Sequence, residues 1–305
     1  MSEQSPPTNH ALDPAATNGI ADPFAELVQW EGRRETLHDH ITAAPLRGWY
    51  ALLDRAAEAP ENGSAVPPLG HWLYFLPNTP QSGLGEDGHA LRGGFLPPVP
   101  LPRRMWAGGR LSWNLDNPLR VGDAARRESR IAAVRHKTGR SGSLVFVEVE
   151  HAVHNAAGLC LTEVHDIVYR AAPQAGDIPA VPTPAPTGMA WQRQQVPSAV
   201  ALFRYSALTF NGHRIHYDRS YATGVEGYPG LVVHGPYIAT LMLDLLHRQQ
   251  PQARVAAFHF RAVRPTFDVH PFCLMGQPSA DGSAATLCSA DHEGWLTMQA
   301  EARLA

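Results

Sequence analysis

The sequence predicts an α+β fold in which an antiparallel sheet surrounds a buried helix. Residues 236–248 (PYIATLMLDLLHR) carry apolar side chains on nearly every helical face, which indicates a helix buried on most sides. Strand-like runs follow this helix, and Asp281–Gly282 and Glu293–Gly294 supply turns between them. One buried helix followed by such a meander is typical of a sheet wrapped around that helix. The four runs are 255–264, 271–279, 283–291 and 295–303.

The first part of the chain also predicts a regular antiparallel sheet. Residues 143–151 (SLVFVEVEH) alternate apolar and polar side chains, which is typical of a strand, and a turn connects them to a second strand over 159–169. Residues 124–135 fit either a helix or a strand, and we favour a strand because this hairpin follows them. Residues 45–57 predict a helix, with Thr42 as its N-cap.

Composition divides the chain into four segments. Residues 171–190 (AAPQAGDIPAVPTPAPTGMA) are rich in proline and alanine and predict a semi-extended linker between two structured regions. The predicted segments are a disordered tail (1–20), a non-catalytic first domain (21–170), the linker (171–190) and a catalytic second domain (191–305).

Charge and cysteine content exclude several classes of function. The net charge of −3 gives no global basic field, so neither nucleic acid nor an anionic membrane is a predicted partner. No apolar run is long enough to span a bilayer, and the first twenty residues lack the features of a secretory signal. Three scattered cysteines predict neither a disulfide framework nor a zinc site, which favours a reducing compartment, the cytoplasm.

Residues 203–246 contain the densest polar motifs. They include Asn211-x-x-x-x-His216 and the run G-L-V-V-H-G from Gly230 to Gly235. These motifs resemble the signature of the MaoC-like, or hydratase 2, dehydratases, which is G-D-x-N-P-x-H followed by G-x-x-x-H-G. The spelling F-N-G-H-R-I-H-Y-D is similar to the branch of type 2 3-hydroxyacyl-thioester dehydratases and mesaconyl-C4-CoA hydratases. The resemblance implies a double hotdog fold, with two antiparallel sheets each wrapped around a central helix.

The resemblance assigns catalytic roles to three residues. His216 matches the catalytic histidine, Asn211 stands where most members have an aspartate, and Gly235 matches the glycine whose N–H faces the thioester carbonyl. Physical chemistry supports these roles, because hydration of an enoyl thioester needs proton transfer and a donor for the enolate oxygen. An amide cannot exchange protons but can orient water, so His216 is expected to perform both proton transfers.

The activity implied is reversible hydration of an enoyl-CoA to a 3-hydroxyacyl-CoA. The resemblance favours a short branched dicarboxylic acyl group, of the mesaconyl-C4-CoA or itaconyl-CoA type. The CoA thioester is then the substrate, no separate cofactor is expected, and a homodimer is a possible assembly. A hotdog thioesterase and a non-catalytic acyl-CoA-binding protein are the alternatives. Because thioesterases usually need a carboxylate at the site, Asn211 weakens the first of these.

Four further residues are candidates for substrate binding. Arg204 and Arg214 lie closest in sequence to the motif, and arginine binds phosphate and carboxylate groups bidentately. Val233 and His234 stand at the entry to the helix, where His234 can alternatively pack with a hydrogen bond to the backbone.

Two other interpretations apply to the same motif. Asn211–Gly212 is in its own right a signal for a hairpin turn. His213, His216 and Asp218 have the residue types of a metal site, but no further ligand stands nearby at helical spacing, so no metal is predicted.

Overall fold

The computed structural model describes residues 24–139, 142–172 and 181–305. The predicted tail (1–20) and the central part of the predicted linker (173–180) lie outside these ranges. Within the described ranges, no helix is both long enough and apolar enough to cross a membrane.

Ten antiparallel strands and four α-helices form the described structure. The strands are β1 (Arg34–His40), β2 (Arg103–Trp113), β3 (Ala124–Gly139), β4 (Gly142–Asn155), β5 (Gly158–Arg170), β6 (Trp191–Gln195), β7 (Val255–Ala262), β8 (Phe272–Pro278), β9 (Ala284–Ala290) and β10 (Leu296–Leu304). The helices are α1 (Ala43–Leu52), α2 (Ala199–Leu208), α3 (Arg219–Gly224) and α4 (Gly235–Gln249).

All ten strands belong to one sheet, in the order β1-β3-β4-β5-β2-β7-β10-β9-β8-β6. The first five strands in this order precede the predicted linker and the last five follow it, so the two halves meet where β2 pairs with β7. Two glycines of β2 allow this close pairing. A Cβ atom at Gly108 would lie 2.6 Å from the carbonyl oxygen of Phe260, and one at Gly109 would lie 2.7 Å from the Phe260 ring. The predicted division into two domains stays a prediction, since the halves share this sheet and a common core.

Helix α4 is the buried helix that the sequence predicts over 236–248. Every residue from 237 to 246 is buried, and the helix packs against strands β8, β9 and β10. One polar residue on it, Asp244, is only 4% exposed, and its carboxylate accepts hydrogen bonds from Arg55, Arg193 and Arg248. A buried carboxylate requires such partners, and they connect α4 to strand β6 and to the segment after α1.

The remaining predictions are confirmed with shifted ends. Residues 124–135 lie in strand β3, the hairpin over 143–169 is β4–β5, and the four runs after α4 are β7 to β10. Helix α1 ends at Leu52 rather than at residue 57, because Asp54 adopts a left-handed backbone with φ of 56°. Strands β1, β2 and β6 and helices α2 and α3 are not among the elements predicted from sequence.

Candidate active site

The segment between α2 and α4 brings the two motifs together in space. Helix α2 begins after Ser198, whose hydroxyl caps the N–H of Ala201, and the chain turns back after it. A short 3-10 turn, Arg214–His216, follows. The N–H of Val232 then donates to the carbonyl oxygen of Ile215 at 3.0 Å. This hydrogen bond places the residue before His216 beside the segment that enters α4.

His216 is held as a neutral base. Its side chain is 8% exposed, and its Nδ1 lies 2.7 Å from the carbonyl oxygen of Val232. A carbonyl can only accept, so Nδ1 carries the proton and Nε2 retains a lone pair. Burial lowers the pKa of His216 to about 4, and the hydrogen bond to Val232 only partly opposes that shift. At neutral pH the imidazole is therefore uncharged, and its Nε2 lone pair is available.

The ring of His234 packs against the ring of His216. The two rings stack with centroids 3.7 Å apart and an angle of 17° between their planes. His234 Nε2 lies 2.9 Å from the hydroxyl oxygen of Ser206, so its partner is a side chain and not the backbone partner predicted from sequence. Burial, and then the neighbouring His216, hold the pKa of His234 well below its usual range. His234 Nδ1 has no hydrogen-bond partner among the described residues.

Gly235 is the first residue of α4, directly after His234. First-turn N–H groups of a helix have no acceptor within it, and the N–H of Gly235 has none among the described residues. Pro236 follows, so the next position offers no donor. The N–H of Val233 is already used, because it donates to the carbonyl oxygen of Thr266 at 2.8 Å. Gly235 thus offers a free backbone donor at the positive end of the helix dipole.

Asn211 shapes the loop that carries His216. Its side-chain oxygen accepts from the N–H of His213 at 3.0 Å, and its own N–H donates to the carbonyl oxygen of Ser206. This is an Asx turn, a local arrangement that asparagine favours. The amide oxygen therefore serves the backbone of the loop.

The two candidate arginines differ in their surroundings. Arg204 is exposed on α2 and forms no hydrogen bond or ion pair within the described ranges. Arg214 pairs with Asp218 at 2.7 Å, donates to the carbonyl oxygen of Glu86 at 3.1 Å, and lies over the Tyr221 ring. Arg204 is consequently the freer of the two to contact a ligand.

A loop of the first half, residues 84–91, packs against this loop of the second half. A β-bridge between Leu84 and Ala90 closes it, and the N–H of Arg214 donates to the carbonyl oxygen of Asp87 at 2.9 Å. At its tip Gly88 has φ of 85°, and a Cβ there would lie 1.9 Å from the carbonyl oxygen of Gly212. Only glycine fits this contact, which brings two more polar side chains beside the motif.

Those side chains are Asp87 and His89, which sequence reasoning missed. Asp87 Oδ2 lies 2.9 Å from His89 Nδ1, and the His89 ring packs against His213 with centroids 3.9 Å apart and an angle of 41° between their planes. His213 in turn meets His216 edge-on at 5.4 Å. The structure thus connects four histidine rings, from His89 through His213 and His216 to His234. The Asp and His of the polar, glycine-containing run G-E-D-G-H were the available signal.

Asp87, His89 and His213 also have the residue types of a metal site. Their candidate ligand atoms lie within 4.8 Å of one another. The hydrogen bond between Asp87 and His89 and the packing of the His89 ring against His213 already account for this arrangement, so we interpret it as an array of packed histidine rings. The set proposed as an alternative from sequence does not assemble, because Asp218 pairs with Arg214 and caps α3.

Sequence comparisons identify related proteins over most of the chain. The family described as hydroxyacyl-thioester dehydratase type 2 matches residues 69–268. A protein of Chloroflexus aurantiacus named mesaconyl-C(4)-CoA hydratase is 47% identical over 264 residues, which cover 84% of this chain and 91% of that protein.

Solved structures confirm the predicted fold class. A MaoC-like dehydratase aligns with a TM-score of 0.65 at 13% identity, covering 91% of this chain and 99% of the other. A Mycobacterium tuberculosis protein described as having a double hotdog fold aligns with a TM-score of 0.56 at 14% identity, covering 90% and 96%. The chain therefore has the double hotdog fold.

Proposed function

This chain belongs to the hydroxyacyl-thioester dehydratase type 2 family and is an acyl-thioester hydratase/dehydratase, and we propose that it acts on a short branched dicarboxylic enoyl-CoA. The expected substrate is of the mesaconyl-C4-CoA or itaconyl-CoA type. The 47% identity to a relative named for mesaconyl-C(4)-CoA supports this choice. Neither thiol release nor simple acyl-CoA binding is expected to be the activity.

The observation that carries the proposed mechanism is the hydrogen bond from His216 Nδ1 to the carbonyl oxygen of Val232. It leaves the Nε2 lone pair of His216 free to take the α-proton of a 3-hydroxyacyl thioester. The enolate oxygen that forms accepts from the N–H of Gly235, at the start of α4. Asn211 keeps the loop in place, and Arg204 is the candidate partner of a CoA phosphate.

His234 and Val233 take supporting parts in this proposal. The His234 ring lies flat under His216 and fixes its orientation by stacking. Val233 is buried in the main hydrophobic core, so its expected part is to support the segment that precedes Gly235.

The reaction is tested with mesaconyl-C4-CoA and crotonyl-CoA as separate substrates. Hydration removes the conjugated double bond and leaves the thioester intact, so we expect enoyl-thioester absorbance to fall without release of free thiol. Mesaconyl-C4-CoA is expected to give the higher kcat/KM. Thiol release would instead identify a thioesterase, and no change with either substrate would leave only a binding protein.

Gly235→Ala tests the role of the helix start. A Cβ there would lie 3.7 Å from the methyl carbon of Met298 and 4.0 Å from the carbonyl oxygen of Trp106, which is ordinary contact, so the fold is expected to persist. The added methyl group displaces the thioester carbonyl from the N–H, and misplacement on the order of 1 Å costs about 100-fold in rate. We expect such a loss in kcat/KM for hydration.

Gly224→Ala is the matched control for this substitution. Gly224 also lies in a helix, at the end of α3, and a Cβ there would meet nothing within 4 Å. Its activity should equal that of the wild type. Wild-type kcat/KM in Gly235→Ala would exclude close approach of the thioester at this position.

We also propose a cytoplasmic location, no cofactor other than the CoA thioester substrate, and a homodimer. Three free cysteines, Cys160, Cys273 and Cys288, support a reducing compartment. Sedimentation of the purified chain measures the assembly.

A further inference from the structure

We infer that His89, oriented by Asp87, is the second proton-transfer group of the reaction, so that the active site is completed by the first half of the chain. The inference rests on the proposed function and replaces the single-histidine mechanism expected from sequence. Asn211 is an amide whose oxygen is occupied by the loop backbone, and burial lowers the pKa of His213, the other histidine of the motif, to about 2, so the motif itself supplies no second acid.

Asp87 fixes His89 by two contacts. One carboxylate oxygen lies 2.9 Å from His89 Nδ1, and the other accepts from the N–H of His89 at 3.0 Å. A carboxylate that accepts from Nδ1 sets the tautomer of the ring and stabilises its protonated form. His89 Nε2 has no hydrogen-bond partner in the described part of the chain, which leaves it available for a substrate hydroxyl group.

His89 faces His216 across His213. The tilted contact of His89 with His213 and the edge contact of His213 with His216 define one continuous wall of imidazole rings. Two arginines, Arg92 and Arg104, are also close enough to act on the charge of His89. A substrate whose carbonyl lies at the start of α4 would extend its β-carbon along this wall.

The two histidines have different electrostatic surroundings. Burial lowers the pKa of both, but the Asp87 carboxylate opposes this shift at His89, whereas no carboxylate acts on His216. Environments that separate two titratable groups in this way are how active sites assign an acid and a base. When one proton is shared between the two histidines, His89 therefore holds it in preference to His216. His216 is then the base in dehydration.

The dehydration step then balances. His216 Nε2 takes the proton from the α-carbon, and the C–H electron pair forms the enolate, whose oxygen accepts from the N–H of Gly235. Collapse of the enolate forms the α,β double bond and breaks the bond between the β-carbon and oxygen. The protonated His89 gives its Nε2 proton to the leaving hydroxyl group, which departs as water. Dehydration thus ends with His216 protonated and His89 neutral, and return of this proton from His216 to His89 through solvent restores the starting state. Hydration is the reverse, and no proton is gained or lost over a full cycle.

Deuterium exchange separates the two roles. With a 3-hydroxyacyl-CoA in D2O, we expect His89→Gln to lose dehydration by about 100- to 10,000-fold yet to keep exchange at the α-carbon, because His216 still removes that proton. His216→Gln should lose both. Mass spectrometry of the unreacted substrate measures exchange, and absorbance measures dehydration. His89→Gln with near-wild-type dehydration, or with exchange and dehydration lost equally, would overturn the inference.

Asp87→Asn gives a second readout that a purely structural role would not move. Protonated His89 is the acid in dehydration, so activity is lost as pH rises through the pKa of His89. Without the carboxylate that pKa falls, and the alkaline limb of the profile should move to lower pH. An unmoved limb contradicts the inference.

The controls separate this inference from the proposed function and from a metal site. His38→Gln alters an exposed histidine of β1 and should match the wild type in both assays. If the wild type neither hydrates nor dehydrates, the proposed function is wrong. If the wild type is active and His89→Gln is equally active, only this inference is wrong. Stoichiometric metal in the wild type that is absent from His89→Gln would also overturn it.

Discussion

Replacing His216 with glutamine is expected to lower kcat/KM for hydration of mesaconyl-C4-CoA about 1000-fold, within the range that acid–base catalysis supplies. Glutamine retains an N–H that can donate to the carbonyl oxygen of Val232, so the loop should keep its position. It cannot accept or release a proton, so the chemical step is lost while binding remains. Initial rates over a range of substrate concentrations should therefore show the loss in kcat rather than in KM.

Asn211→Asp is the informative contrast to this variant. An aspartate oxygen can still accept from the N–H of His213, so the Asx turn is preserved. The change introduces the aspartate of the MaoC-like signature that this motif resembles. We expect its kcat/KM to stay within about tenfold of the wild type, far above that of His216→Gln. Near-normal activity of His216→Gln would refute the mechanism, and a loss in Asn211→Asp as large as in His216→Gln would give the amide a direct catalytic part.

Elements whose sequence pattern is local were predictable. Apolar residues on all faces predict helix α4, and alternating apolar and polar residues on either side of a turn predict the hairpin β4–β5. The proximity of His216 and Gly235 in space was also predictable, because both belong to one short segment of the chain. The contact that produces this proximity was not predictable, because it is a hydrogen bond between the backbones of Ile215 and Val232.

The contribution of the first half could not be predicted, because it depends on contacts between residues far apart in the chain. Asp87 and His89 lie in a loop without helical or strand periodicity. The close contact between Gly88 and Gly212 and the hydrogen bond from the N–H of Arg214 to Asp87 place them beside His213. The pairing of β2 with β7 could not be predicted either, because it also joins residues far apart in the chain. Fold class thus follows from short-range patterns here, while the full set of site residues follows from the docking of two halves.

The same burial that prepares the site should make the folded chain sensitive to acid. We expect the free energy of unfolding to fall steeply between pH 7 and pH 5, measured by urea denaturation at each pH. The folded pKa is about 4 for His216 and about 2 for His213, lowered mainly by burial, against an unfolded value near 6.5. The unfolded chain therefore binds more protons in this window, and stability is lost as pH falls. These two residues together account for about 4 kcal/mol.

Other buried histidines act in the same direction. Burial also lowers the pKa of His234 and of His151, so neither offsets the loss. His216→Gln removes one titrating group, and its stability should fall by about 2 kcal/mol less than that of the wild type over the same range. His38→Gln, altered at an exposed position, should follow the wild-type curve. If His216→Gln and the wild type lose stability equally between pH 7 and pH 5, His216 is not held neutral by the fold, and its assignment as a ready base loses its physical basis.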